Sequence, residues 1–317
     1  MIEVIDTIYN VIMPVFLAIG VGVIYGHFVK PDPKILSGLV IYIFAPAIVL
    51  EGMTNAGLNA DELAQIAALI FTVSALMSII GFVLSRLLQL NKYQASAFML
   101  SVVLFNGATY GIPFNEFAFG LDARQLAIVF YSITVLVTNT LGVYLASRGT
   151  STSTKNAILN IIKLPAIYAA FLGLFLNFSD VALVTSTDDI IAGQMIVPLP
   201  LGRTIHQLAN ASVPLMAILL GIQFNRSRFK ADNIVPVLVA SATSLIIAPL
   251  VAASLVSMFG LDGLTRQVGI MQFAMPTAII TTVLTTQFGG DTEFVAATVM
   301  VSTIGSILSL GLLLLFI

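Results

Sequence analysis

The chain of 317 residues has no cysteine, which excludes disulfides and thiolate metal centres. It has two histidines, His27 and His206, too few for a histidine-rich metal site. Charge is just as scarce: 9% of the residues are Asp, Glu, Lys or Arg, against roughly 25% in soluble domains. A net charge of -2 argues against a nucleic-acid partner. No phosphate-binding loop is present either. The glycine-rich run GVGVIYG, residues 20–26, lacks the lysine and the serine or threonine that such a loop needs, which removes ATP-driven pumping. No Ser–His pair or paired aspartates stand out at mid-span depth, so an intramembrane enzyme is not supported. What remains is 58% hydrophobic with mean hydropathy +1.05, the composition of an all-α polytopic membrane protein.

A membrane span needs about 20 mostly apolar residues, and ten stretches qualify. They lie near Ile5–Phe28, Ile35–Met53, Glu62–Leu88, Tyr93–Phe119, Arg124–Ser147, Ala157–Phe178, Pro198–Phe224, Asp232–Phe259, Leu264–Phe288 and Thr292–Phe316. The first follows Glu3 and Asp6 rather than a basic region, so it reads as a mature span. The most polar stretch, residues 148–156, is a natural linker. Alternate loops hold Lys30 and Lys34, Arg86 and Lys92, Arg148, Lys155 and Lys163, and Arg226, Arg228 and Lys230, ten of the 13 Lys and Arg residues. This set reads as cytoplasmic, with both termini on the other side. The expected location is the bacterial inner membrane.

Span 4 contains LFNGATYGIPFNEFAFG, residues 104–120. Gly107, Gly111 and Pro113 within seven residues cannot form ordinary helix. Broken backbone at membrane depth survives only where protein buries it or it lines a watery cavity. Landmarks then recur along the chain. Pro46 matches Pro214 at an offset of 168, FGLD ending at Asp122 matches FGGD ending at Asp291 at 169, and Pro14 matches Pro165 at 151. Two five-span halves follow, and an odd number inverts the second half in the membrane. Transferring the break of span 4 by 169 residues puts its equivalent at Met275 and Pro276, in MQFAMPTAIITTVLTTQFGGD of span 9. Inverted repeats place substrate at the midplane on interrupted helices, so the two breaks are expected to cross.

These residues resemble the auxin efflux carrier family, through MPVFLAIGVG in span 1, the proline of span 2, NGATYGIP in span 4, VPLMAILLG in span 7 and MPTAIITTVL with FGGD in span 9. The resemblance implies a crossover, elevator-type carrier related in fold to bile acid:sodium symporters. Residues 1–53 and 157–225 would form a scaffold, often dimeric, and residues 54–147 and 226–317 the moving transport part, with 148–156 a cytoplasmic linker. Asn106, Pro113 and Pro276 would mark the crossover site.

Half-helix N-termini present unpaired N–H groups and partial positive charge. Those after Pro113 and Pro276 are expected to hold a small carboxylate, aided by Asn106, Thr109, Tyr110, Asn115, Gln272, Met275, Thr277 and Thr281. Alternatively these groups satisfy only the broken backbone. Glu116 departs from the family pattern and is a candidate for coupling to Na⁺ or H⁺ or a simple capping residue. His206 and Asn210, four apart on one helix face, are candidates for a vestibule, and Glu51 is expected to be solvated. The leading expectation is a secondary transporter of a small organic anion, with no cofactor beyond a coupling ion. A coupled symporter of a bile-acid-like or neutral solute, or a non-transporting sensor, is the alternative.

Overall fold

A computed structural model describes residues 9, 13–148, 165–183, 195–224 and 234–317. The linker at 149–156, the start of span 6, Asp188 and Asp189, and the basic residues Lys155, Lys163, Arg226, Arg228 and Lys230 lie outside the described residues. The sidedness read from those cations is therefore not addressed by the structure.

The described chain is almost wholly helical. Its α-helices are α1 (Met13–Val29), α2 (Pro33–Leu39), α3 (Ala45–Thr54), α4 (Ala60–Leu87), α5 (Lys92–Val103), α6 (Ile112–Phe119), α7 (Leu121–Val137), α8 (Val143–Arg148), α9 (Pro165–Phe178), α10 (Leu199–Phe224), α11 (Ile234–Ala242), α12 (Ala248–Leu255), α13 (Gly263–Phe273), α14 (Ile280–Phe288) and α15 (Thr292–Leu313). Among the described residues, five continuous helices are long and apolar enough to cross a membrane: Ala60–Leu87, Leu121–Arg148, Leu199–Ile222, Ile234–Phe259 and Thr292–Leu313.

Local chemistry explains where the helices start and where they deform. Asn59 and Asn91 each accept from the backbone of the third residue into the next helix, and Glu62 and Gln94 reciprocate, forming capping boxes at α4 and α5. Wide π-turns at Val40–Phe44, Gly107–Gly111 and Thr243–Ile247 each end two residues before a proline, Pro46, Pro113 and Pro249. Proline has no N–H and its ring crowds the carbonyl four residues back. A wide turn just upstream opens the backbone where that conflict falls.

Four helices pack on one another: α1 on α10, α9 on α3, and α10 on α3. The α1–α10 crossing is close enough for backbones to touch. A Cβ on Gly22 would fall 2.0 Å from the Ile218 carbonyl oxygen, and one on Gly221 would fall 1.9 Å from that of Ile19. Because the obstacle is main chain, no rotamer change relieves it. We expect Gly221→Val to cost at least the roughly 1–3 kcal/mol of an overpacked core, read as a lower melting temperature in detergent. Gly20→Ala, in the same α1 with open space around it, leaves the melting temperature unchanged.

Candidate functional site

The interruption between α5 and α6 and the one between α13 and α14 meet. α5 has 12 residues and α13 has 11, so each reaches its break after about 17–18 Å at 1.5 Å per residue. That is roughly half of a hydrocarbon core about 30 Å thick. The chain leaves α5 at Leu104 in extended conformation, and Phe105 and Thr277 form an antiparallel β-bridge. The Asn106 amide donates to the Pro276 carbonyl at 2.7 Å, and the Ala278 amide donates to the Leu104 carbonyl at 2.8 Å. Each break therefore satisfies polar backbone that the other leaves open.

Side chains finish the joint. Thr277 donates through its hydroxyl to the Ser101 carbonyl at 2.8 Å and through its amide to Ser302 Oγ at 3.1 Å. The Thr281 hydroxyl donates to the Ala278 carbonyl. Tyr110 and Ser306 share a hydroxyl–hydroxyl bond of 3.1 Å, and the Tyr110 ring packs between Phe16 and Phe114. Asn115 donates to the Gly111 carbonyl at 2.7 Å. Gln272 donates to the Ala127 carbonyl at 3.2 Å, and its Oε1 lies where a Cβ on Gly111 would fall, 2.5 Å away. Glycine there admits the glutamine to the crossing.

After the bridge, helix resumes at Gly107 and not after Pro113. Gly111 gives the first helical amide bond, to the Asn106 carbonyl at 2.9 Å. The start of a helix leaves its first N–H groups unpaired; the Gly107 amide donates back to the Phe105 carbonyl at 2.9 Å, and the open groups are those of Ala108, Thr109 and Tyr110. The free positive end is thus displaced to the crossing itself, with Pro113 already inside α6.

Beside this turn lies a cavity of about 160 Å³. Two kinds of wall enclose it. Asn106, Thr109, Tyr131, Thr134, Thr138 and Asn139 supply all its polar side chains, from the break and from α7 with its following π-turn. Val40 and Ile41 of the π-turn before α3, Ala45 of α3, Ala166 of α9 and Met216 and Leu219 of α10 also line it, all apolar. Among the described residues no Lys, Arg or His lines it. Asn106 Nδ2 is buried and has no hydrogen-bond partner among the described residues, although such groups are nearly always paired. No described residue engages the side chains of Thr109, Thr138 or Asn139.

Of the residues singled out from sequence, Asn106 and Thr109 line the cavity. Tyr110, Pro113, Asn115, Gln272, Met275, Pro276, Thr277 and Thr281 build the crossing around it. Tyr131, Thr134, Thr138 and Asn139 did not emerge from the sequence reading. Their signal was present, a polar stripe at three- and four-residue spacing in an apolar span, but hydroxyls in a membrane helix bond back to their own carbonyls as a rule.

The remaining candidates form a chain of bonds away from the cavity. Glu116 is about one-third exposed and pairs with Arg124 at 3.3 Å, a contact worth about 0–1 kcal/mol. Arg124 also donates to Asn210 Oδ1 at 2.8 Å. That fixes the amide with Nδ2 toward His206 Nε2 at 2.9 Å, so Nε2 accepts and Nδ1–H donates to Glu51 at 2.5 Å. Glu51 is not solvated as its place near a span end suggested: it is 7% exposed, because α10 lays His206 over it. Gln125 adds two bonds of 2.9 Å, to the carbonyls of Gly52 and Asn55.

Residues 5–314 match the family described as membrane transport protein. An uncharacterized transporter of Methanothermobacter thermautotrophicus is 24% identical over 308 residues, 97% of this chain and 96% of that protein. An uncharacterized transporter of Methanocaldococcus jannaschii is 24% identical over 309 residues, 96% of each chain.

Proposed function

The chain belongs to the membrane transport protein family, the auxin efflux carrier family of its motifs, and from that premise we propose that it is a secondary active transporter of a small organic anion, working by an elevator movement. The observation that carries this reading is the two-sided cavity. Among the described residues, every polar side chain that lines it stands on the crossing, on α7 or on the π-turn after α7, and the lining residues from α3, α9, α10 and the π-turn before α3 are all apolar. A solute so held can slide past those apolar residues without exchanging hydrogen bonds with them.

The packing supports the division of labour. α1, α3, α9 and α10 form one group, the scaffold of this reading, and the cavity's apolar wall comes from it and from the π-turn leading into α3. Helices α4–α8 and α11–α15 carry the crossing and form the transport part. The two breaks lie at equal depth and pair antiparallel, which supports ten spans arranged as inverted halves. The broken spans 4 and 9 escape a count of long continuous helices because each is split in two.

Recognition of an anion here relies on neutral donors. The turn offers the open amides of Ala108, Thr109 and Tyr110 and a partial positive charge, and Asn106 Nδ2 adds a buried donor with no partner among the described residues. The size of the cavity discriminates between candidate solutes. At about 160 Å³ it is smaller than the roughly 300–1,000 Å³ of drug-sized sites, so a small carboxylate fits this state better than a bile acid. Glu116, bound to Arg124 outside the cavity, has no direct path to the solute, which weighs against it as the coupling group.

A thermal-shift screen of the purified chain tests this reading. Small mono- and dicarboxylates and indole acids are expected to raise the melting temperature, with bile acids inert and Na⁺ making no difference. Stabilisation by bile acids only in the presence of Na⁺ would favour the coupled symporter. A ligand that binds but shows no flux in proteoliposomes would favour a sensor.

A further inference from the structure

A second cavity, of about 330 Å³, opens where three helix ends gather: α4 at Arg86, α5 at Lys92 and α8 at Arg148. These three cations are exposed on its rim, and no carboxylate among the described residues lines it. Among the described residues none of the three forms an ion pair. The Arg86 guanidinium lies 5.2 Å over the Phe82 ring and that of Arg148 lies 5.6 Å over the Tyr144 ring. Aromatic faces thus hold both groups in place and leave their N–H edges unused.

The other lining is not built for a soluble anion. Ser85 and Ser96 are buried, and each spends its hydroxyl hydrogen on a backbone carbonyl, of Phe82 and Leu145, at 2.7 Å. The floor is Leu90, Met99 and Leu145. Phe82 carries that apolar surface outward to Val83 and Leu87, exposed at 48% and 72%, on a 28-residue helix long and apolar enough to cross a membrane. Three positive charges with no counterion among the described residues, at the ends of apolar helices and joined to a greasy outer face, ask for a ligand that is anionic at one end and apolar at the other. Basic pockets between membrane helices take anionic headgroups.

We propose that this cavity binds the phosphate of an anionic phospholipid, with Arg86, Lys92 and Arg148 around the phosphodiester and an acyl chain along Phe82 and Leu87. The site goes beyond the solute pathway and does not depend on the solute's identity. It sits on the helices that carry the crossing, so an occupied site ties the position of those helices to the lipid.

Native mass spectrometry of the purified full chain, released from mixed micelles containing equal phosphatidylglycerol and phosphatidylcholine, tests the proposal. Three basic groups at a membrane surface predict retention of phosphatidylglycerol over phosphatidylcholine by roughly 100-fold. Arg86→Gln, Lys92→Gln and Arg148→Gln each reduce that preference by about fivefold, and Arg148→Lys keeps most of it. All three cations are exposed, so the melting temperature of each variant in phosphatidylcholine alone stays that of the wild type. Equal retention of the two lipids, or a preference untouched by the three substitutions, overturns the proposal. Displacement of phosphatidylglycerol by millimolar inorganic phosphate would assign the cavity to a soluble phosphate and overturn the lipid assignment.

Discussion

Oxidation of the double variant Gly52→Cys/Ile128→Cys is expected to stop transport, down to the level of protein-free vesicles, and reduction is expected to restore it. The two positions face each other across the seam between the proposed scaffold and the transport part. A Cβ on Gly52 would lie 3.0 Å from the Ile128 Cβ. A disulfide wants about 3.5–4.5 Å, a small shift that the loss of the isoleucine branch allows. The wild-type chain has no cysteine, so no other thiol can compete or confuse the result. Around this pair run the bonds from Gln125 to Gly52 and Asn55 and from Arg124 to Asn210. An elevator breaks these bonds in each cycle, whereas a covalent tie does not yield. Uptake of the best-stabilising organic acid into proteoliposomes, before and after a reductant, gives the answer. Undiminished flux with the disulfide formed, verified by mass, would show that the seam does not slide.

Replacing Asn106 is expected to have the other large effect, and two replacements separate charge from hydrogen bonding. Asn106→Ala removes the partnerless Nδ2 donor. A hydrogen bond to a charged group is worth roughly 1.5–3 kcal/mol, so affinity for the acid falls about 10- to 150-fold. Asn106→Asp keeps the shape but adds a carboxylate beside the bound anion, in a cavity without one cation to offset it. The loss is expected to exceed that of the alanine variant. Backbone pairing between the breaks uses the Asn106 amide and not its side chain, so both variants retain the crossing. Competition thermal shift with the same acid measures both affinities. Unchanged or tighter binding of the acid in Asn106→Asp would show that the anion does not sit against residue 106 and sink this placement.

The break of span 4 was legible because glycine and proline act through local backbone chemistry, which three residues suffice to reveal. Its counterpart at Pro276 became visible only through the repeat, since MQFAMPTAI by itself is a kinked helix like many others. The pairing of Asn106 with Pro276 could not be read, because it joins residues 170 positions apart and depends on how two spans cross. For the same reason the wall formed by Thr138 and Asn139 stayed hidden. A hydroxyl in an apolar span looks alike whether it bonds its own helix or faces a void, and only the neighbouring helices decide. Glu51 shows the converse. Nothing in its own segment suggested burial, and His206, 155 positions away, supplies the cover.

Among the described residues, the cavity at the crossing has no ionised side chain on its wall. A carrier whose pocket is neutral moves no net charge when empty, and takes on the full charge of its cargo when loaded. With a monoanion aboard, each passage is therefore electrogenic, and a membrane voltage acts on the loaded step alone. At about 2.3 kcal/mol per elementary charge and 100 mV, an inside-negative cell would favour outward over inward delivery of such an acid by roughly fifty-fold, with no co-transported ion and at the expense of the membrane voltage.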